Sequence, residues 1–109
     1  MRNIAASSSW NALAKDGESF TMQLELGTPY QVDGSELSEW ACPVSLTPMF
    51  GQLADMHGTD AIQSMTLAMG LARSLLQQFL HEGGQLLAED GSVLTLKEIL
   101  PCISDFQHT

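Results

Sequence analysis

Basic residues are what this chain has least of. Four Lys and Arg stand against thirteen Asp and Glu over 109 residues, a formal net charge of −9. Such a surface repels phosphate backbones and anionic lipid, so nucleic acid and membrane are poor partners. A basic protein, by contrast, would be attracted and steered. Cysteine is scarce too: Cys42 and Cys102 are the only two, far below the density of a disulfide-stapled secreted domain. No run approaches the ~20 apolar residues that span a bilayer. Met1-Arg2-Asn3 is followed by IAASSS, which lacks the apolar core of a signal peptide. The expected setting is the cytoplasm, with reduced thiols. Also missing are a P-loop, a G-x-G-x-x-G and a G-x-S-x-G, so no cofactor and no nucleophile elbow is implied.

What is present argues for one folded domain. Hydrophobic content of 44% argues against disorder, and this length buries roughly two-thirds of the unfolded surface. The dominant stretch is TDAIQSMTLAMGLARSLLQQFLHE, residues 59–82, which reads as one long helix. Thr59 or Asp60 can cap its first turn, and Gly83-Gly84 supplies the left-handed residue that ends it. Ile62, Met65, Met69, Ala72, Leu76, Phe79 and Leu80 recur at three- and four-residue steps as one apolar stripe. Leu67, Leu71 and Leu75, with Ser64 and Ala68, form a second beside it. Together the stripes span roughly 220°, about twice what a helix lying on one sheet must bury. The sequence therefore asks for a second cover, from residues 48–57, the C-terminal segment or another chain.

Strands flank this helix. Residues 3–14 read as a first strand, and Asp16-Gly17 is a strong hairpin signal. Residues 18–26 are the clearest strand, with Phe20, Met22, Leu24 and Leu26 alternating with polar residues. Residues 39–47 read as a third, with Trp40, Cys42, Val44 and Leu46 on one face and Pro43 marking an edge or bulge. A two-residue turn at Asp33-Gly34 would pair Leu24 with Pro43 and set the apolar faces against each other; facing them the same way needs an odd loop or a bulge, and a longer, irregular loop is expected over 28–38. Residues 85–89 form a fourth strand before a turn at Asp90-Gly91. Thr95 and Glu98 then fit a capping box that opens a short helix over 96–101. The predicted fold is α+β: an antiparallel sheet of three to four strands packed on one long helix, in the order β-β-β-α-β plus a short C-terminal helix.

Three short motifs carry a resemblance. They are G-x-P-Y at Gly27, Pro29 and Tyr30, W-x-C-P at Trp40, Cys42 and Pro43, and the run from Gly58-x-Asp60 to Gln63 followed by Leu67-Ala68. Together they resemble a small bacterial family of uncharacterised domains, over roughly residues 4 to 100. The resemblance implies a strand-rich N-terminal half followed by one packed helix, and it brings no catalytic or metal residue with it. In size, acidity and lack of a catalytic motif the chain is also similar in a general way to immunity proteins that neutralise toxins delivered between bacteria.

Chemistry-bearing residues are dispersed. Asp55, His57 and Asp60 lie together in DMHGTD, but their spacing matches no common metal-ligand pattern, and a solvated loop feeding a helix cap explains them. Cys42 with His57 or His81 would make a nucleophile and base, yet Cys42 falls on an apolar strand face, where cysteine acts as a small hydrophobe. No enzyme and no metal site is expected. The sequence points instead to a cytosolic binding protein, most concretely an immunity protein that occludes a basic toxin domain. Asp33, Glu36, Glu39 and Asp55 would steer onto the partner, with Tyr30 and Met49 as apolar anchors. The alternative is a homodimeric ligand-binding or regulatory domain, with Leu67, Leu71 and Leu75 as a two-fold interface.

Overall fold

Alternation along residues 18–26 produces the strand it predicts. In the computed structural model, which describes residues 3–34 and 38–101, β2 (Ser19–Gly27) buries Met22, Leu24 and Leu26 and exposes Thr21 and Gln23. Its partner β1 (Ile4–Leu13) runs antiparallel, from Leu13 opposite Ser19 back to Ile4 opposite Gly27. The connection Lys15-Asp16-Gly17 is a tight turn in which Gly17 adopts φ +92° and donates to Ala14 O at 2.9 Å. Asp16 Oδ1 accepts from the Glu18 amide at 2.9 Å. The same chemistry recurs at Glu89-Asp90-Gly91, where Gly91 adopts φ +88° and Asp90 Oδ1 accepts from the Ser92 amide. Aspartate holds the amide two residues on, and glycine takes the left-handed position that closes the loop.

The expected third strand is two strands. The run from Trp40 to Thr47 divides at Pro43 into β4 (Trp40–Cys42) and β5 (Val44–Thr47), which lie in different sheets. The irregular segment after β2 likewise contains β3 (Tyr30–Gln31), opposite β4. Leu24 pairs with Leu46 and Leu26 with Val44, so the apolar residues share a face, as a bulge allows. Further along, Tyr30 pairs with Ala41, a shift of one residue. Residues 19–34 and 38–47 therefore form one antiparallel ribbon, bulged where Gly27 meets Pro43. Gly27 N donates to Pro43 O at 2.8 Å, and a Cβ on Gly27 would stand 2.8 Å from the proline ring carbons. Only glycine fits that approach.

Short segments complete both sheets. Residues 48–58 supply β6 (Gly51–Gln52) beside β5 and β7 (Met56–Gly58) beside β4. β8 (Gln85–Leu87) pairs with Asn11–Leu13 of β1. The result is a five-stranded sheet, β6-β5-β2-β1-β8, and a three-stranded sheet, β3-β4-β7. The architecture is α+β with antiparallel sheets and one long helix, but with eight strands in two sheets where three to four in one were expected. Two- and three-residue strands are too short to show alternation in sequence, which is why they escaped it.

α1 (Ala61–His81) begins at Asp60, whose Oδ1 accepts from Gln63 N at 2.7 Å. It packs chiefly on β7 and β4, with lesser contact to β5 and β2. Its buried line is Ser64, Ala68, Ala72, Leu76 and Phe79, the seam between the two expected stripes. Small residues along that seam bring the helix axis close to the sheets, and the bulkier residues brace it from either side. Met65, Met69 and Leu80 on one flank, and Leu71 and Leu75 on the other, are half-buried against the core. Ile62, expected in the main stripe, is 78% exposed. Two residues before the buried Ser64, it projects to the opposite side of the first turn. Thr95 and Glu98 form the expected capping box of α2 (Leu96–Ile99). No helix among the described residues is long and apolar enough to cross a membrane.

Two consequences follow for stability. Leu76, fully buried on the seam, should lose about 2–5 kcal/mol on Leu76→Ala, whereas Ile62→Ser should stay within about 0.5 kcal/mol of wild type; urea unfolding of the two variants separates them. Gly27→Ala should lose about 1–3 kcal/mol from the forced contact with Pro43. An unchanged midpoint would show that the bend tolerates a side chain.

Candidate functional site

The small sheet has two faces of different character. Tyr30 pairs with Ala41 and Ala41 with His57, so these three side chains project to one side. Cys42 pairs with Met56 on the other side, and both belong to the core beneath α1. Two polar links cross the outer side. The Tyr30 hydroxyl donates to Asp55 Oδ2 at 2.5 Å, and His57 Nδ1 donates to Glu39 Oε2 at 2.6 Å. Ala41, with no exposed surface, is the floor between them. A larger side chain there would push Tyr30 away from Asp55. Tyr30 is 44% exposed, and the Glu39 and His57 side chains are 41% and 51% exposed.

Beside Tyr30 lies an open cleft of about 420 Å³, lined by Asn3, Thr28, Pro29, Tyr30, Pro43, Gln52 and Asp55. The proline rings supply apolar walls, and Asp55 is the one charged group. The same ribbon bend that requires Gly27 sets Pro29 and Pro43 at this cleft. Asp55 also acts on its neighbours. The hydrogen bond to Asp55 raises the phenol above its ordinary value, with burial and the Asp55 charge adding to the effect. Burial pushes the Cys42 thiol up, and the Asp55 charge adds to that. Cys42 is a buried free thiol that donates to Gly27 O at 3.5 Å, in the protonated state that makes a cysteine unreactive.

Of the residues expected to bind a partner, Tyr30, Glu39 and Asp55 come together here from three separate stretches. Asp33 is exposed on the loop after β3, and Glu36 lies outside the described residues. Met49 is 42% exposed but belongs to a different groove, with Ala14, Lys15, Phe79, Glu82 and Gly84. Leu67, Leu71 and Leu75 are half-buried, and the last two pack on the core. DMHGTD is not a solvated loop: its middle is β7, and only Asp60 caps the helix. His57, which the sequence raised only as a metal ligand or a base, is the member of this face that was not expected there. Asp55-x-His57 beside Glu39-x-Ala41 is the two-residue spacing of neighbouring strands, a faint signal once β7 is known. Among the described residues no group of three or more His, Cys, Asp or Glu side chains could hold a metal ion.

The three motifs behind the family resemblance also meet at this sheet. Gly27 and Pro43 form the bend, and Tyr30 lies across β4 from Asp55. Trp40 pairs with Gly58, where a Cβ would stand 2.8 Å from Ser64 N. Gln63 Oε1 accepts from Thr59 N at 2.6 Å while Gln63 N donates to Asp60, a reciprocal lock on the helix start. Each motif thus has a local structural cause. Scans against protein-family models, curated proteins and solved structures found no match for the chain.

Tyr30 is the only tyrosine, so its ionisation can be followed by absorbance of the phenolate. Its raised value means that the protonated phenol is favoured in the folded state. That contribution is present below the ordinary value of about 10 and is lost as pH rises through the higher folded value. Asp55→Ala should bring the midpoint down toward the ordinary range. An unchanged midpoint would show that Asp55 does not hold the phenol in solution.

Proposed function

We propose that this protein is a protein-binding module that occludes a basic partner, most concretely an immunity protein against a toxin acting in the cytosol. One observation carries the reading: Tyr30, Glu39 and Asp55 share the exposed face of the small sheet beside a cleft, in a chain of net charge −9. Tyrosine is a frequent interface anchor because it offers a rigid apolar ring with one polar end. Asp33, Glu39 and Asp55 supply a negative field that draws a basic surface toward that ring. Tyr30 uses only Asp55 Oδ2, leaving Oδ1 for an Arg or Lys of the partner. Occlusion needs no chemistry from this chain, only coverage of the partner's substrate groove.

The alternative homodimer through Leu67, Leu71 and Leu75 has less support, because Leu71 and Leu75 already pack within the chain.

Affinity capture from the source cells tests the proposal. The wild type should retain a protein of basic pI, and the Asp33→Ser, Glu39→Ser, Asp55→Ser triple variant should associate with it more slowly, most of all at low salt. Its folding should shift by about 1 kcal/mol or less, since the charges replaced are exposed or half-exposed. Capture of an acidic protein, or equal association rates at low salt, would remove this face from the interface and the immunity reading with it.

A further inference from the structure

The five-stranded sheet has an unfinished edge. β8 covers β1 only at Asn11, Ala12 and Leu13. Ile4 through Ser9 are all exposed, on both sides of the strand. Backbone direction can be read from the hairpin: Ala14 N donates to Glu18 O, so even-numbered residues of the regular stretch bond to β2. Asn11 and Leu13 turn the other way and meet β8. By the same alternation Ser7 and Ser9 aim their N–H and C=O groups away from β2, where among the described residues no strand pairs with them.

Native edges are usually guarded by charge or proline, and the residues of β1 itself supply neither. Residues 3–14 carry no Asp, Glu, Lys, Arg or Pro in a chain of net charge −9. The register shift between Ile4 and Ala6 is the single irregularity, and it lies at the strand's beginning. An uncharged edge offers nothing to a basic partner, so this surface is distinct from the small-sheet face. It suits another uncharged, small-residue strand, and β1 itself is such a strand.

We propose that two copies of this chain pair through β1, antiparallel about a two-fold axis at Ser7, joining their five-stranded sheets into one. The longest window that stops short of Asn11 and is symmetric about one residue is Ile4–Trp10, centred on Ser7. Pairing there sets Ser7 against Ser7 of the second copy, with Ala6 against its Ser8. Main-chain hydrogen bonds hold the pair, and its centre, Ala5 through Ser9, carries only small side chains. Glu89 lines a pocket with Ser9 and Trp10 at the end of the window, and the acid level with its centre is Glu25, which pairs with Ser7 on β2. Its counterpart in the second copy would be three strand spacings away, about 14 Å at about 4.8 Å per spacing. That exceeds the screening length of about 8 Å at physiological ionic strength. The dimer should therefore strengthen as salt rises, opposite to the acidic face's attraction for a basic partner.

Sedimentation equilibrium of the untagged full chain tests this over a range of protein concentration at low and high salt. A monomer–dimer equilibrium that tightens with salt is expected. Ser7→Pro removes the outward N–H while leaving the β1–β2 bonds intact, so it should melt as wild type does and associate at least ten-fold more weakly. Ser7→Lys sets two cations opposite each other and should also be monomeric; mixing it with Ser7→Glu should restore a dimer. A chain that stays monomeric at every concentration overturns the proposal. So does a dimer indifferent to both Ser7→Pro and Ser7→Lys, or a Lys and Glu mixture that fails to associate.

Discussion

The contact between Gly27 and Pro43 is the constraint on which the rest depends. A β-ribbon this long would continue as a single sheet if nothing turned it. A glycine without a side chain, a proline without an N–H and one extra residue on the Gly27 side turn it at a single point. Beyond that point the ribbon takes a new neighbour, β7 in place of β6. The two sheets thus enclose the helix, and the small residues of its seam are the match to that enclosure. Ser64, Ala68 and Ala72 would be poor choices for a helix resting on one open sheet, where larger residues bury more apolar area. They suit a helix that must approach strands on both sides of a bend.

The site inherits its geometry from the same bend. Tyr30 and Asp55 are 25 residues apart, and neither is in the large sheet. Tyr30 reaches Asp55 only because β3 and β7 flank the same central strand, whose Ala41 leaves room for the ring to lie across it. Glu39 and His57 repeat the arrangement one step along. Half of the acidic charge expected to be free on this face is therefore held by partners within the chain. That fixes the side chains in place and lowers the ordering cost of meeting another protein.

Much of the fold was legible in the residues, and the losses have a physical pattern. β2, both Asp-Gly turns, the helix and the capping box at Thr95 were readable, because each has a local signature of several residues. The second sheet was not: β3, β6 and β7 are two or three residues long and are strands only through their neighbours. The helix face misled for a related reason. Ser64 and Ala68 belong to the second expected stripe and Ala72, Leu76 and Phe79 to the first, and the fold buries the line where the two meet. At the site, Tyr30, Glu39 and Asp55 were marked for charge and surface chemistry, but their meeting was not deducible. It rests on a bend whose register can be set only by pairing.

The short reach of β8 along β1 has a consequence for how the chain is made. Synthesis delivers β1 first and β8 only after the long helix, so the large sheet lacks its outer strand for several seconds at roughly 5–20 residues per second. During that interval all of β1 is an open, uncharged edge, and afterwards its first half still is. Few edges combine early exposure with so little to repel a neighbour. By the end of the helix the nascent chain already carries most of its Asp and Glu residues, and none of them lies in β1.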